Sequence, residues 1–191
     1  MRRETYYYDY VYVIHDFFTP EECRASIAQA EKLGFVDAPI TTSEGAVMRK
    51  DVRNNTRVIS DDPITAERLW QRIQPWVIDP WRQRTAIGLN ERLRYYKYEP
   101  GQSFAPHFDG RYRRNDFEKS DFTFLVYLND DFAGGGTRFF KPGVFRIEPK
   151  AGSALLFHHP QLHEGEVVER GVKYVLRSDV MYRSTSPGHD G

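Results

Sequence analysis

The sequence predicts a mainly β fold with N-terminal helices (α+β), its strands gathered into a sandwich or barrel of jelly-roll size. Three observations predict it. Aromatic residues make up 15% of the 191, with 12 Tyr and 13 Phe, which suits pleated, half-buried strands. The two helical patterns both precede residue 90. Beyond that point eight short β-like runs follow within about ninety residues, with turn signals between them.

The elements follow in chain order. Residues 5–14, TYYYDYVYVI, are β-branched and aromatic and read as one strand. Thr19, Pro20 and Glu22 then form a helix start: a cap, a proline at the first helical position and a capping-box acid. The helix should run from Pro20 to about Leu33 and stop at Gly34. Cys23, Ile27 and Ala30 fall on one of its faces, which makes Cys23 a small core hydrophobe rather than a nucleophile. Residues 36–62 are polar and carry no clear period. Within them Arg53-Asn54-Asn55-Thr56-Arg57 reads as a solvated turn entering a strand at Val58-Ile59. A second helix is expected over 63–75, with Asp62 at its N-terminus, Leu69, Trp70 and Ile73 facing the core, and Pro75 and Pro80 closing it.

The later runs lie at 92–98, 104–109, 121–129, 137–140, 144–148, 153–158, 163–168 and 172–182. Pro100-Gly101, Gly134-Gly135-Gly136, Pro142-Gly143, Ala151-Gly152 and Gly171 separate them. The expected layout is a single domain over 1–184, with 1–90 as a helical support region and 91–184 as the β-barrel. Residues 185–191 read as a disordered tail.

Charge and cysteine usage exclude several classes. Lys+Arg and Asp+Glu are both 27, so no large basic footprint for nucleic acid is expected. One cysteine, Cys23, excludes an intrachain disulfide framework and fits a reducing, cytoplasmic setting. Met1-Arg2-Arg3 is followed by Glu4 and tyrosines rather than an apolar stretch, so no secretory leader is read. No run of 18 apolar residues occurs, and no membrane partner is expected.

The chemistry gathers around His107-Phe108-Asp109. Alternate residues of a strand share a face, so His107 and Asp109 should project together with Phe108 opposite. An imidazole beside a carboxylate supplies two thirds of a facial metal site. A histidine from a later strand would complete it: His163 is a candidate, and His158 and His159 compete. Two His and one carboxylate on one octahedral face leave three positions open, the pattern of non-haem Fe(II) oxygenases.

Further segments recur in a telling order. Tyr98-Glu99-Pro100-Gly101-Gln102 precedes His107 by nine residues; T-F-L-V-Y-L-N occupies 123–129. Gly134-Gly135-Gly136-Thr137-Arg138-Phe139-Phe140 follows, then Gly152-Ser153-Ala154-Leu155-Leu156-Phe157, then His163-Glu164-Gly165 with Val168, Gly171 and Lys173. This series resembles the prolyl-4-hydroxylase-like branch of the 2-oxoglutarate- and Fe(II)-dependent dioxygenases, over about residues 92–182 and more loosely the first strand and helix. The resemblance implies a double-stranded β-helix, a jelly-roll or cupin-like barrel, with the metal at one mouth. It implies His107, Asp109 and His163 as metal ligands. It implies Lys173, ten residues after His163, as the anchor of the distal carboxylate of 2-oxoglutarate, with Tyr98 and Tyr127 beside the same co-substrate. Arg177, four residues further along the final strand, is the competing anchor: a better bidentate partner for a carboxylate, but less well placed. Fe(II), 2-oxoglutarate and O2 are the implied cofactor and co-substrates, with ascorbate in addition. The implied reaction hydroxylates a C–H bond and releases succinate and CO2. Phe104, Phe108 and Phe157 are expected in the dry shell.

Two features could read a peptide or small-molecule substrate. Arg111, Arg113 and Arg114 lie just beyond the metal motif, in a loop that reads either as a solvated mixed-charge segment or as a lid gripping an acidic group. Arg53, Asn54, Asn55 and Arg57 would approach the same mouth if they are not a solvated turn. His158 and His159 end the strand before His163; one of them could reach the pocket, but capping or surface roles are preferred. Prolyl residues, other side chains, free amino acids and small metabolites all remain open as substrates. The alternatives are a nucleic-acid-repair dioxygenase on the same barrel, or a jelly-roll binding module without chemistry.

Overall fold

The computed structural model describes residues 1–42 and 45–185. Among these, strands order as one nine-stranded sheet packed over a smaller four-stranded one. The large sheet runs Arg2–Tyr7, Val11–His15, Ala154–His158, Glu118–Tyr127, Lys173–Arg183, Arg92–Tyr98, Thr56–Asp61 and Val36–Asp37, with Thr85–Leu89 also paired to the final strand. The small sheet runs Phe145–Ile147, Thr137–Phe139, His163–Gly165 and Phe104–His107. Every named pairing is antiparallel.

The large sheet is buried on both faces, and side-chain alternation decides what goes where. In Val11–His15, Tyr12 and Ile14 pack with the helices, while Val11 and Val13 face the small sheet. Phe122, Phe124 and Val126 likewise join the helical side, and Leu125 and Tyr127 the inner side. Each apolar side chain fully buried this way contributes about 1.5–3 kcal/mol. The same alternation turns Tyr96, Tyr98, Thr123, Lys173, Val175 and Arg177 into the space between the sheets, where all six line one pocket.

Both helices appear as their signals predict. The first spans Pro20–Leu33 with a complete capping box: Thr19 Oγ1 accepts from Glu22 N at 3.2 Å, and Glu22 accepts from Thr19 N at 2.9 Å. Gly34, at φ 86°, ends it. Cys23 and Ala30 are buried, and burial pushes the Cys23 thiol up, as befits a core residue. The second spans Pro63–Ile73 and buries Leu69, Trp70 and Ile73; Asp62 accepts from Thr65 N at 2.9 Å. Arg72 then clamps the two helices together through Glu22 at 2.7 and 2.8 Å.

Several local readings change. The single strand expected over 5–14 is a hairpin, Arg2–Tyr7 and Val11–His15, whose turn places Tyr8 at φ 42° and Asp9 within 2.7 Å of Arg3. Residues 1–90, expected as helical support, also supply strands to the large sheet, Val11–His15 and Thr56–Asp61 among them. The run at 163–168 divides, because His163–Gly165 pairs in the small sheet while Val168–Arg170 pairs with Ala133–Gly134. The tail expected beyond 184 lies, from residue 186, outside the described residues.

Candidate functional site

Two strands and one loop bring the predicted ligands together. His107 ends the strand Phe104–His107 and pairs directly with His163 in the neighbouring strand, their ring centroids 4.3 Å apart. Asp109 lies two residues beyond His107, outside the strand that the sequence extended to it. It still turns inward, its side chain only 4% exposed, while Phe108 turns outward and is 60% exposed. Phe108 is therefore not part of a dry shell; Phe104 and Phe157 do line the pocket.

The donor set suits a divalent metal. One nitrogen atom from each of His107 and His163 and one Asp109 oxygen all lie within 4.8 Å of one another. Nδ1 of His107 is 2.8 Å from Ala105 O, and Nδ1 of His163 is 2.9 Å from Gln161 O. A carbonyl only accepts, so each Nδ1 carries the proton and each Nε2 keeps its lone pair. Those Nε2 atoms stand 3.7 and 3.8 Å from the Asp109 oxygens. Burial pushes His163 down to about 4, so it is neutral near pH 7, the form that ligates. Burial alone would raise the Asp109 carboxyl, but the Arg177 guanidinium together with His163 and His107 outweighs it and holds the carboxyl well below the usual range.

Behind Asp109 runs a chain of hydrogen bonds that the sequence did not announce. Thr123 Oγ1 donates to Asp109 Oδ2 at 2.6 Å and lies 3.1 Å from His159 Nδ1. His159 Nε2 is 2.9 Å from Ser120 Oγ, which accepts from Tyr112 N at 2.8 Å. Because Thr123 gives its only proton to Asp109, His159 must donate from Nδ1 and accept at Nε2. His159 and His158 are both buried, against the capping or surface roles expected of them. His158 packs among Tyr10, Trp81 and Phe122, and burial pushes it down to about 3. Adjacent residues in an extended segment face opposite ways, so only one of the two histidines reaches toward the site.

Lys173 sits deeper in the same pocket. It is 4% exposed, and its only hydrogen bond among the described residues is to Gly135 O at 2.7 Å. Among the described residues no carboxylate pairs with it, and burial pushes its ammonium down to about 7. A buried ammonium with two donors unspent is a fitting seat for a carboxylate. Tyr98 lines this pocket, its ring centroid 5.3 Å from Lys173 Nζ. Tyr127 stands one layer back: its ring centroid is 5.6 Å from Lys173 Nζ and its hydroxyl 2.7 Å from Thr137 Oγ1, with Thr137 forming the wall.

Arg177 is committed elsewhere. Its guanidinium lies 3.0 Å from Asp109 Oδ1 and 3.3 Å from Asp179. Of the loop arginines, Arg113 pairs with Asp116 at 2.8 Å, and Arg114 with Glu91 at 2.7 Å and Glu118 at 3.1 Å. Only Arg111 of that group reaches the mouth, 3.3 Å from Asp121.

A family model described as the 2OG-Fe(II) oxygenase superfamily matches residues 93–178, the stretch that carries the triad and Lys173. Residues 93–178 are thus similar to the 2OG-Fe(II) oxygenase superfamily. Prolyl 4-hydroxylase 1 of Arabidopsis thaliana is 28% identical over 164 residues, a match covering 77% of this chain and 56% of that protein. The chain thus spans little more than half the length of this curated relative. Among solved structures, the collagen prolyl hydroxylase of Paramecium Bursaria Chlorella virus-1, in its 2OG complex, superposes with a TM-score of 0.64 at 20% identity, covering 91% of this chain and 96% of that one. A Trichoplax adhaerens prolyl hydroxylase, solved with a hypoxia inducible factor peptide fragment, gives a TM-score of 0.68 at 17% identity, covering 91% and 84%. At those identities the likeness is one of fold, and that fold is the double-stranded β-helix of 2OG oxygenases. Among the described residues, no helix is long and apolar enough to cross a membrane.

Proposed function

We propose that the chain, as one domain over residues 1–184, is a 2-oxoglutarate- and Fe(II)-dependent dioxygenase. It hydroxylates a C–H bond of a peptidyl substrate, prolyl residues included, or of a small molecule, with release of succinate and CO2. The observation that carries this reading is the convergence of the two unprotonated Nε2 atoms of His107 and His163 on the Asp109 carboxylate. Iron bound there would supply the oxidising chemistry, with 2-oxoglutarate and O2 as co-substrates.

The chain's own residues hold and orient. His107 and His163 are locked by Ala105 O and Gln161 O, so neither ring needs to reorganise before ligating. Thr123 and Arg177 fix the Asp109 carboxylate from two sides. Lys173 takes the distal carboxylate of 2-oxoglutarate and Tyr98 walls it, while Phe104 and Phe157 limit water in the pocket.

The test is a succinate-release screen with Fe(II), 2-oxoglutarate, O2 and ascorbate against pooled peptides and metabolites. His107→Ala, Asp109→Ala and His163→Ala should each abolish succinate and weaken Mn(II) binding. Full activity in His163→Ala, with loss of Mn(II) binding in His159→Ala, would move the third ligand. Product formed at an undiminished rate without 2-oxoglutarate would overturn the reaction class.

A further inference from the structure

A second, larger chamber opens in front of the triad. It measures about 480 Å³ and shares Tyr96, Phe104, His107, Asp109 and Arg177 with the inner pocket. Five guanidinium groups line it, those of Arg53, Arg57, Arg94, Arg111 and Arg177, against two carboxylates, Asp109 and Asp179. Three of the five are spent. Arg177 pairs with Asp109 and Asp179, Arg94 with Asp179 at 3.1 Å, and Arg111 with Asp121.

The other two have no counter-charge among the described residues. Arg53 is only 5% exposed; its Nε donates to the neutral Asn55 Oδ1 at 2.7 Å, and its Nη2 is buried with no partner. The rings of Tyr96 and Phe104 each lie 4.5 Å from its guanidinium carbon, so it is held in place as well as buried. The backbone fixes it too, through the bridge between Arg53 and Phe104, one strand from His107. Arg57 lies in Thr56–Asp61, opposite Tyr96 in register, and its side chain makes no ion pair or hydrogen bond among the described residues. Burial pushes Arg57 down from its ordinary value, and the nearby cations Arg53 and Arg94 push the same way. Burial would raise the Tyr96 phenol, but Arg177, Arg53 and Arg94 outweigh it and leave it lowered. The chamber is therefore held at positive potential with two guanidiniums unanswered.

We propose that this chamber selects its substrate by a carboxylate, seated on Arg53 and Arg57 while the C–H bond to be hydroxylated faces the triad. The inference rests on the dioxygenase reading above and names the substrate class for it. A buried guanidinium donor left unpaired is costly, and an arriving anion offsets that cost. An Arg fork matches a planar carboxylate through two parallel bonds, and a second Arg closes on the same group from the side. The remaining walls, Pro39, Ile40, Val52 and Phe108, are apolar and suit an organic acid better than a polyphosphate. The volume admits a ligand of amino-acid to short-peptide size. A zero formal charge for the chain gives a nucleic-acid backbone no further footing.

The experiment uses the full chain with Mn(II) and saturating 2-oxoglutarate, so that the inner pocket is filled and turnover is silent. Calorimetry measures binding of N-acetyl amino acids against their N-acetyl amides, and of capped Gly-Glu-Gly against capped Gly-Gln-Gly. At least one acid should bind tenfold or more tightly than its uncharged twin, about 1.4 kcal/mol. Preference for a terminal or for a side-chain acid tells which source the carboxylate has. Arg57→Gln and Arg53→Gln should each erase the preference, and Arg57, half-buried on a strand, is the variant that keeps its fold if Arg53→Gln does not. Equal binding of acids and amides, or none by either, overturns the proposal. So does a preference that survives in Arg57→Gln, one that vanishes in Lys173→Ala, or displacement of the acid by inorganic phosphate at lower concentration. Succinate release is followed separately on the Fe(II) protein, so absence of dioxygenase chemistry is distinguished from absence of acid selection.

Discussion

The Arg177 guanidinium lies 3.0 Å from Asp109 Oδ1, so the residue competing with Lys173 as a carboxylate anchor already holds a carboxylate of the protein itself. The two bases share one face of the strand Lys173–Arg183, roughly 13 Å apart along it at about 3.3 Å per residue. A small dicarboxylate tethered at the triad would meet a cation already neutralised at one end and, at the other, one without a counter-charge among the described residues. Lys173→Ala should raise the 2-oxoglutarate KM at least tenfold, about 1.4 kcal/mol where KM follows affinity. Arg177→Gln should change it by less than about threefold, under 0.7 kcal/mol. A large rise confined to Arg177→Gln would transfer the anchor.

Thr123→Val keeps the shape of the side chain and removes the hydroxyl that donates to Asp109 at 2.6 Å. It also strands the Nδ1 proton of His159, breaking the chain to Ser120. Residues that orient a metal ligand are worth roughly 10–100-fold in metal affinity. We expect Mn(II) affinity to fall about tenfold, with Thr123→Ser restoring most of it. Equal affinity in the valine and serine variants would show that Thr123 only fills space.

Lys173 predicts a pH dependence of stability in the ligand-free chain. Burial pushes its ammonium down to about 7, from 10.5 in an ordinary setting. Between those values the unfolded chain binds more protons than the folded one. Stability therefore rises with pH across that window, while below it the full penalty of burying the charge is felt. Urea unfolding at pH about 7 and about 9 should show this rise in the parent and not in Lys173→Met. Parallel behaviour of the two would mean that Lys173 titrates as a solvated lysine.

Gly152 sits at φ +79°, and a Cβ there would run into the carbonyl oxygen of Phe18. Its own carbonyl accepts from Phe17 N and Phe18 N at 2.9 Å, and its N–H donates to Tyr127 O at 2.8 Å. The turn joins the first helix's entry to the strands of the pocket. Gly152→Ala should cost about 2–4 kcal/mol, from backbone strain and overpacking together. Calorimetric melting should fall by about 5–10 °C. An unchanged melting temperature would mean that this turn relaxes freely.

Local signals located what local chemistry governs. The capping box at Thr19 and Glu22, Gly34 beyond Leu33, and the turn glycines from 101 to 171 act within a few residues of themselves, so their elements stand where the sequence places them. The order of segments from Tyr98 to Lys173 carried the family resemblance, because ligand and anchor residues must fall at set intervals along a barrel's strands. The sequence by itself therefore determined the β-rich class, both helices, the three residues that meet at the mouth and the lysine in the pocket. What it could not decide depends on pairing between distant strands. Tyr8–Tyr10 became a hairpin turn because Val11–His15 pairs with Ala154–His158 on its other side. Arg53 left solvent because Thr56–Asp61 pairs with Arg92–Tyr98 and carries the preceding segment onto Phe104. His159 reached Thr123 only through the register of Glu118–Tyr127 against Ala154–His158. Register shifted by one residue turns every side chain to the opposite face, and no window along the chain contains that information. Tertiary pairing alone thus decided which arginines are neutralised and which two, among the described residues, stand without a counter-charge before His107 and Asp109.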